Sequence, residues 1–180
     1  INMNLLKGSD RTSRLTVVLF VIYLMAICWI LLFKLGVQFS YMENRNVNLI
    51  PFREAFSSKG KIDLREIIMN MVIFVPLGLY TGVLFEKWGL GKNILFFLLF
   101  SLFVEGFQFA WRIGTFDITD IITNTAGAIV GLMLFKAIEN MFKNSAKAKR
   151  FINIIAATGT VLMILFLVLL KTNNLWIKYQ

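Results

Sequence analysis

The 180-residue sequence contains no histidine, a single cysteine and only two prolines. The absence of histidine excludes Ser-His-Asp and Cys-His catalysis, phosphohistidine chemistry and the usual zinc sites. The single cysteine, Cys28, excludes an internal disulfide bond. Any chemistry in this chain therefore depends on carboxylates, amides, arginine, lysine or hydroxyl groups.

Charged residues are also scarce, at 16% of the chain, whereas hydrophobic residues make up 58% and the mean hydropathy is +0.73. This composition is too apolar for an ordinary soluble domain. Stretches of alternating polarity, which are typical of transmembrane barrels, are missing. The sequence predicts an all-α fold, a polytopic membrane helical bundle that forms one domain over residues 1–180.

Five apolar segments are long enough to cross the roughly 30 Å of hydrocarbon in a bilayer. They cover residues 15–33, 67–85, 93–111, 118–135 and 152–170. The third and fourth segments contain the carboxylates of Glu105 and Asp120, and the other three contain no formal charge. The first segment follows basic residues as a signal peptide does, but no small-residue cleavage site comes after it, so we interpret it as a retained anchor.

Only the first connection between these segments, residues 34–65, is long. Pro51 disfavours helix at Ile50, and Leu49, Ile50 and Phe52 are apolar. We therefore predict that this loop is amphipathic or partly re-entrant, dipping into the membrane interface. An ordinary surface loop with a hydrophobic plug is the alternative.

The basic residues indicate an orientation in the cell membrane. The N-terminus and the connections at 86–92 and 136–151 share one side and hold ten of the nineteen Lys and Arg residues, whereas the 112–117 turn holds one. Because short loops rich in Lys and Arg stay in the cytoplasm, we predict a cytoplasmic N-terminus and an extracytoplasmic turn at residues 113–116. Basic residues beside apolar runs also favour anionic lipid headgroups over nucleic acid as partners.

Polar residues repeat one spacing on the third and fourth segments: Glu105, Gln108 and Arg112, then Asp117, Asp120 and Asn124. Each set lies on one helical face, and consecutive helices joined by a short turn are antiparallel, so the two faces can meet. Glu105 and Asn124 are both expected about 10 Å below the turn. A carboxylate at mid-span costs on the order of 2 to 3 kcal/mol unless it is paired or hydrated. The pattern predicts a polar pocket, to which Asn70 on the second segment adds an amide.

Each of these residues also has a purely structural interpretation. Arg112 is suited to anchor the helix at the interface by extending its side chain to the headgroups. Asp117 is suited to cap the fourth helix, and Asp120 to interact with the positive end of its dipole. Gln108 and Asn124 are suited to hydrogen-bond neighbouring helices.

Small residues four apart occur on the second helix, at Gly78 and Gly82, and on the fourth, at Gly127 and Gly131. Such pairs allow helix backbones to approach closely. We predict that these two helices pack against each other or against the third.

Four motifs, in this order and spacing over about residues 44–135, carry a family resemblance. They are N-L-I-P-F at 48–52, N-x-x-x-F-x-P-L-G at 70–78, E-x-x-Q at 105–108 and D-x-x-D-x-x-x-N-x-x-G at 117–127. Together they resemble the VanZ-like family of bacterial membrane proteins. The resemblance implies a cell-envelope protein of Gram-positive type, because the founding member is associated with low-level resistance to the glycopeptide antibiotic teicoplanin.

The resemblance extends the candidate substrate-binding residues into the first loop and the second helix. The full set is Asn48, Pro51, Phe52, Asn70, Glu105, Gln108, Arg112, Asp117, Asp120 and Asn124. We assign no cofactor and no metal site.

Three functions fit these residues. The first is a protein that binds membrane lipids, a lipid-linked cell-wall precursor or a lipoglycopeptide antibiotic in an outward-facing polar pocket. The second is an intramembrane enzyme on a lipid-linked cell-wall precursor, with Glu105, Asp117 and Asp120 in acid–base or Mg²⁺-assisted roles. The third is a transporter or flippase, since buried carboxylates can relay protons.

Overall fold

A computed structural model of the chain describes residues 14–28, 47–53, 64–111 and 115–171. Its helices are α1 (Arg14–Cys28), α2 (Leu64–Leu84), α3 (Leu90–Ala110), α4 (Ile118–Phe142) and α5 (Ser145–Lys171). Two short strands, β1 (Val47–Asn48) and β2 (Phe116–Asp117), pair in parallel. The described part is mostly helical, which confirms the predicted helical fold class. The strand pair was not predicted, because helical periodicity contains no information about it.

Three of the described helices are long and apolar enough to cross a membrane, as judged by length and composition. They contain the segments Ile67–Leu84, Leu90–Ala110 and Ile118–Phe142. The described part of α1 is shorter than these three. A membrane helical bundle is thus supported for these spans, and the count of five crossings remains a proposal.

The second and fourth helices pack against each other through their glycines, which is one of the two predicted arrangements. A Cβ atom placed on Gly78 would lie 1.8 Å from the carbonyl oxygen of Ala128, and one on Gly131 would lie 1.9 Å from that of Val75. Both neighbours are backbone atoms, so the two helices touch main chain to main chain. This pair forms the most extensive helix contact in the described structure.

Large apolar side chains fill the space between the helices. Phe74 and Leu77 of α2 and Phe97 of α3 are completely buried. The first helix lies against α2, where the Tyr23 hydroxyl donates to the carbonyl oxygen of Ile73 over 2.9 Å. The first helix also reaches α5, where Thr16 and Asn153 exchange hydrogen bonds. These contacts make α1 a packed part of the bundle.

The connection between α4 and α5 is much shorter than the predicted loop over residues 136–151. The fourth helix continues to Phe142 and the fifth begins at Ser145. Residues 136–142 contain neither glycine nor proline, so helix propagates beyond the apolar segment. Lys143 then adopts a left-handed conformation (φ 48°), and the Asn144 side chain accepts a hydrogen bond from Lys147 N. An ion pair between Lys149, near the start of α5, and Glu86 joins this helix to the α2–α3 turn.

Candidate functional site

One end of the bundle gathers most of the predicted polar residues. There α2 begins, α3 ends and α4 begins, and β1 pairs with β2 beside them. Four segments and the cap of α4 contribute side chains, which we call the polar cluster: Asn48, Asn70, Glu105, Asp117 and Asp120. The polar faces of α3 and α4 meet, as predicted, through the hydrogen bonds from Asp117 N to Glu105 and from Asn124 to Ser101. Ligand binding there stays a prediction.

Asp117 lies at the centre of the polar cluster and is 8% exposed. Its Oδ1 atom accepts a hydrogen bond from Thr119 N over 2.7 Å, which caps the first turn of α4. Its other oxygen, Oδ2, accepts a hydrogen bond from Asn48 Nδ2 over 2.9 Å. The capping interpretation is therefore confirmed, and the same carboxylate also binds the first loop to the bundle.

The loop motif at residues 48–52 lies against the start of α4. Asn48 and Asp117 are partners in the strand pair, and Phe52 N donates to Thr119 Oγ1 over 2.9 Å. Phe52 is half-buried and adopts a positive φ of 62°, which is uncommon for a residue other than glycine. Pro51 is exposed, and Leu49 next to the loop tip is 65% exposed. The described part of the loop is thus held by hydrogen bonds and presents apolar side chains outward.

Asn70 joins the polar cluster from α2, as predicted. Its Nδ2 atom donates to Asp120 Oδ1 over 2.7 Å, and both residues are half-buried. Asp120 belongs to the first turn of α4, where a negative charge interacts favourably with the helix dipole. One carboxylate therefore stabilises a helix terminus and also pairs two helices.

Glu105 is 3% exposed on α3. Its Oε2 atom accepts a long hydrogen bond of 3.5 Å from Asp117 N. Gln108, one turn further toward the end of α3, is 4% exposed. The backbone amide of β2 thus faces the Glu105 carboxylate, so Asp117 lies level with Glu105.

Asn124 lies one turn deeper than Glu105, although similar depths were predicted. Its Nδ2 atom donates to Ser101 Oγ over 3.1 Å, and Ser101 precedes Glu105 by four residues on the same helical face. The extended residues of β2 return the chain to the level of Glu105 before α4 begins, which shifts α4 by about one turn. The interhelical hydrogen bond that we considered for Asn124 is confirmed. Ser101 was missed, although its spacing from Glu105 signals a shared face.

Arg112 and the first half of the predicted turn at residues 113–116 lie outside the described ranges 64–111 and 115–171. Within the described ranges, no group of three or more His, Cys, Asp or Glu residues is placed to hold a metal ion.

A separate apolar cavity of about 360 Å³ lies between α1, α2 and α5. Tyr23, Pro76, Tyr80, Ile152 and Gly159 are among its lining residues. On α2 its lining residues begin at Ile73 and continue to Tyr80, so the cavity lies further along the helix than Asn70. Local sequence patterns do not predict this cavity, because its lining residues come from helices that are far apart along the chain.

Two comparisons with known proteins identify the family of this chain. A family model described as VanZ/LLP1 matches residues 20–142. Protein VanZ of Enterococcus faecium is 38% identical over 154 residues, which cover 83% of this chain and 89% of that protein. No solved structure matches. The matched range includes the polar cluster and all four motifs, and we conclude that the chain belongs to the VanZ/LLP1 family.

Proposed function

We propose that this chain, a VanZ-like membrane protein, binds the polar part of an envelope lipid or a lipoglycopeptide at the polar cluster. By this binding it contributes to teicoplanin resistance, the property associated with the founding member of the family. One observation carries the proposal: carboxylates and amides from separate segments of the chain converge at one end of an otherwise apolar bundle.

Structural needs explain only part of this convergence. Capping α4 requires the carboxylate of Asp117 and no other. Glu105 and Asp120 add two carboxylates in or near the membrane, where charged groups are costly and are usually paired or functional. A few convergent polar groups beside apolar surface are typical of ligand sites.

Apolar surface next to the polar cluster supports an amphiphilic ligand. Leu49 and Ile50, which directly follow Asn48 in the loop, are 65% and 58% exposed. A polar head at the cluster would thus leave its acyl chain along apolar side chains.

The proposed site faces outward in a chain that crosses the membrane five times from a cytoplasmic N-terminus. In a Cys28→Ala background, we expect a cysteine at Thr115 to react with an impermeant maleimide in intact cells. A cysteine at Lys143 should react only after lysis, because it lies at the opposite end of α4. Labelling with the reverse pattern would contradict this orientation.

The function is tested by removing one negative charge from the polar cluster without changing its shape. In a teicoplanin-sensitive Gram-positive host, the unaltered chain should raise the inhibitory concentration of teicoplanin. Glu105→Gln should lose most of that increase, because a charge-assisted hydrogen bond is roughly twice as strong as a neutral one. The measurement is the inhibitory concentration at matched protein levels in the membrane.

Glu86→Gln is the matched control, since Glu86 lies at the opposite end of the bundle and pairs with Lys149. It should retain the full increase in inhibitory concentration. If Glu105→Gln and Glu86→Gln behave alike while both accumulate normally, the polar cluster is not the functional site.

A further inference from the structure

The apolar cavity between α1, α2 and α5 has the size and the lining of a ligand site. Its volume of about 360 Å³ lies within the roughly 300 to 1,000 Å³ that is typical of small-molecule pockets. Ile27 of α1, Leu79 of α2 and Ile152 of α5 are among the apolar residues that surround it. Water needs several polar partners in an enclosed space, and this lining is almost entirely apolar. The cavity therefore favours an apolar occupant.

The opening of the cavity runs beside α5. The cavity is partly open, and two of its lining residues, Ile155 and Gly159, are also exposed at the surface. The exposed residues of α5 next to them are apolar as well: Ile154, Val161 and Leu162. Lipid tails are as apolar as these side chains, so this side of α5 is suited to face lipid. An occupant therefore enters from the hydrocarbon of the bilayer and not from water.

The long direction of the cavity matches that of a lipid chain. The span Ile67–Leu84 covers about 27 Å, which is close to the roughly 30 Å of hydrocarbon in a bilayer. Leu84 thus lies near the headgroup boundary, and Tyr80 lies about 6 Å inside it. From Tyr80 the lining continues along α2 to Ile73, about 10 Å further toward the middle of the membrane. An acyl chain runs in the same direction, from the boundary inward.

One buried hydroxyl group in the lining lacks a partner. Tyr23 and Tyr80 both line the cavity. The Tyr23 hydroxyl donates to the carbonyl oxygen of Ile73. Tyr80 is 3% exposed, and its hydroxyl makes no hydrogen bond to the residues that the structure describes. Buried polar groups in native proteins nearly always have partners, so this hydroxyl points to an acceptor that the occupant supplies.

We propose that the cavity binds one acyl chain of an ester-linked lipid from the leaflet next to the α2–α3 turn. The ester carbonyl oxygen accepts a hydrogen bond from the Tyr80 hydroxyl, and the chain extends from there toward Gly159. A chain in this position restores the van der Waals contacts that an empty space would deny to its lining. The cavity is separate from the polar cluster, so this inference goes beyond the proposed function.

Photo-cross-linking of the full chain tests the occupant. Nanodiscs of ether-linked phosphatidylcholine receive a trace of one probe with a mid-chain diazirine: an ester-linked phosphatidylcholine, its ether-linked analogue or a polyprenyl phosphate. Mass spectrometry compares labelling at Ile27, which is 1% exposed and lines the cavity, with labelling at Leu99, which is 56% exposed on α3. Bulk lipid reaches Leu99, whereas only an occupant of the cavity reaches Ile27.

Relative to Leu99, the ester probe should label Ile27 about fivefold more than the ether probe, as one neutral hydrogen bond predicts. Unlabelled ester lipid should reduce the labelling at Ile27 and leave that at Leu99 unchanged. If Ile27 is not labelled, or if its labelling is not reduced by ester lipid, the proposal is overturned. Stronger labelling by polyprenyl phosphate would show that an isoprenoid occupies the cavity, and the acyl ester would be wrong.

A leucine at Gly159 is designed to fill the cavity. A Cβ atom on Gly159 meets no atom within 4 Å, and the same holds for Gly106 on α3, which does not line the cavity. Gly159→Leu should therefore lower labelling at Ile27 by at least about fivefold, and Gly106→Leu, the matched control, should leave it unchanged. Equal labelling of the two variants would contradict the proposal.

The two tyrosines separate the carbonyl contact from the fit of the chain. Tyr80→Phe should remove the preference for the ester probe over the ether probe and leave labelling by the ether probe unchanged. Tyr23→Phe should keep the preference, because the Tyr23 hydroxyl already has a partner within the protein. If Tyr80→Phe retains the preference, or if Tyr23→Phe removes it, Tyr80 does not bind the carbonyl group and the proposal is wrong.

Discussion

Replacing Gly78 by alanine is expected to prevent α2 and α4 from packing as they do in the native bundle. The added Cβ atom would lie 1.8 Å from the carbonyl oxygen of Ala128 and 2.5 Å from the backbone nitrogen of Leu132. Overpacking in a core usually costs about 1 to 3 kcal/mol, and backbone atoms cannot rotate away as side chains do. We expect most of the protein to be lost from the monodisperse fraction in size-exclusion chromatography of detergent-solubilised membranes.

Gly106→Ala is the matched control, because it is the same change inside a helix but meets no atom within 4 Å. Alanine there should raise stability slightly, by about 0.5 to 1 kcal/mol, since glycine is unfavourable within helices. Similar chromatographic profiles for the two variants would show that α2 and α4 do not approach as closely as described.

Asp117→Ala should have the second largest effect, because one carboxylate performs two tasks. The change removes the cap on Thr119 N, worth about 0.5 to 2 kcal/mol, and leaves the amide of Asn48 without its acceptor, at about 1 to 3 kcal/mol. The thermal unfolding midpoint should fall. Protease cleavage within residues 47–53 should rise, because the loop loses its bond to the bundle.

An exchange of the two side chains separates the loop contact from the cap. Asp117→Asn alone keeps an oxygen that caps α4, but it places a side-chain NH2 group opposite the NH2 group of Asn48. Two donors then face each other, so this variant should destabilise the chain. Adding Asn48→Asp restores a carboxylate–amide pair with the roles reversed, and the double variant should be more stable than either single one. Strictly additive losses in the cycle would rule out the Asn48–Asp117 hydrogen bond.

Much of the fold was predictable because it depends on short-range patterns. Length and hydropathy identified the spans in α2, α3 and α4, and residues four apart predicted which helix faces are polar or small. The meeting of the α3 and α4 faces followed from chain connectivity, since a short turn forces neighbouring helices to be antiparallel. Helix ends were less predictable. The fourth helix continues past Phe135 to Phe142, whereas hydropathy predicts only the part of a helix that lies in the membrane.

Contacts between distant segments account for what the sequence alone did not show. The spacing of acidic and amide residues identified Glu105, Asp117 and Asp120, and the family resemblance added Asn48. The pairing of Asn48 with Asp117, 69 residues apart, required the strands to meet. The depth of Asn124 and its bond to Ser101 likewise follow from the shift that β2 introduces between α3 and α4. Local patterns determine which side chains share a helical face. Only the packed structure determines their partners, because hydrogen bonds act over a few ångströms in space and not along the chain.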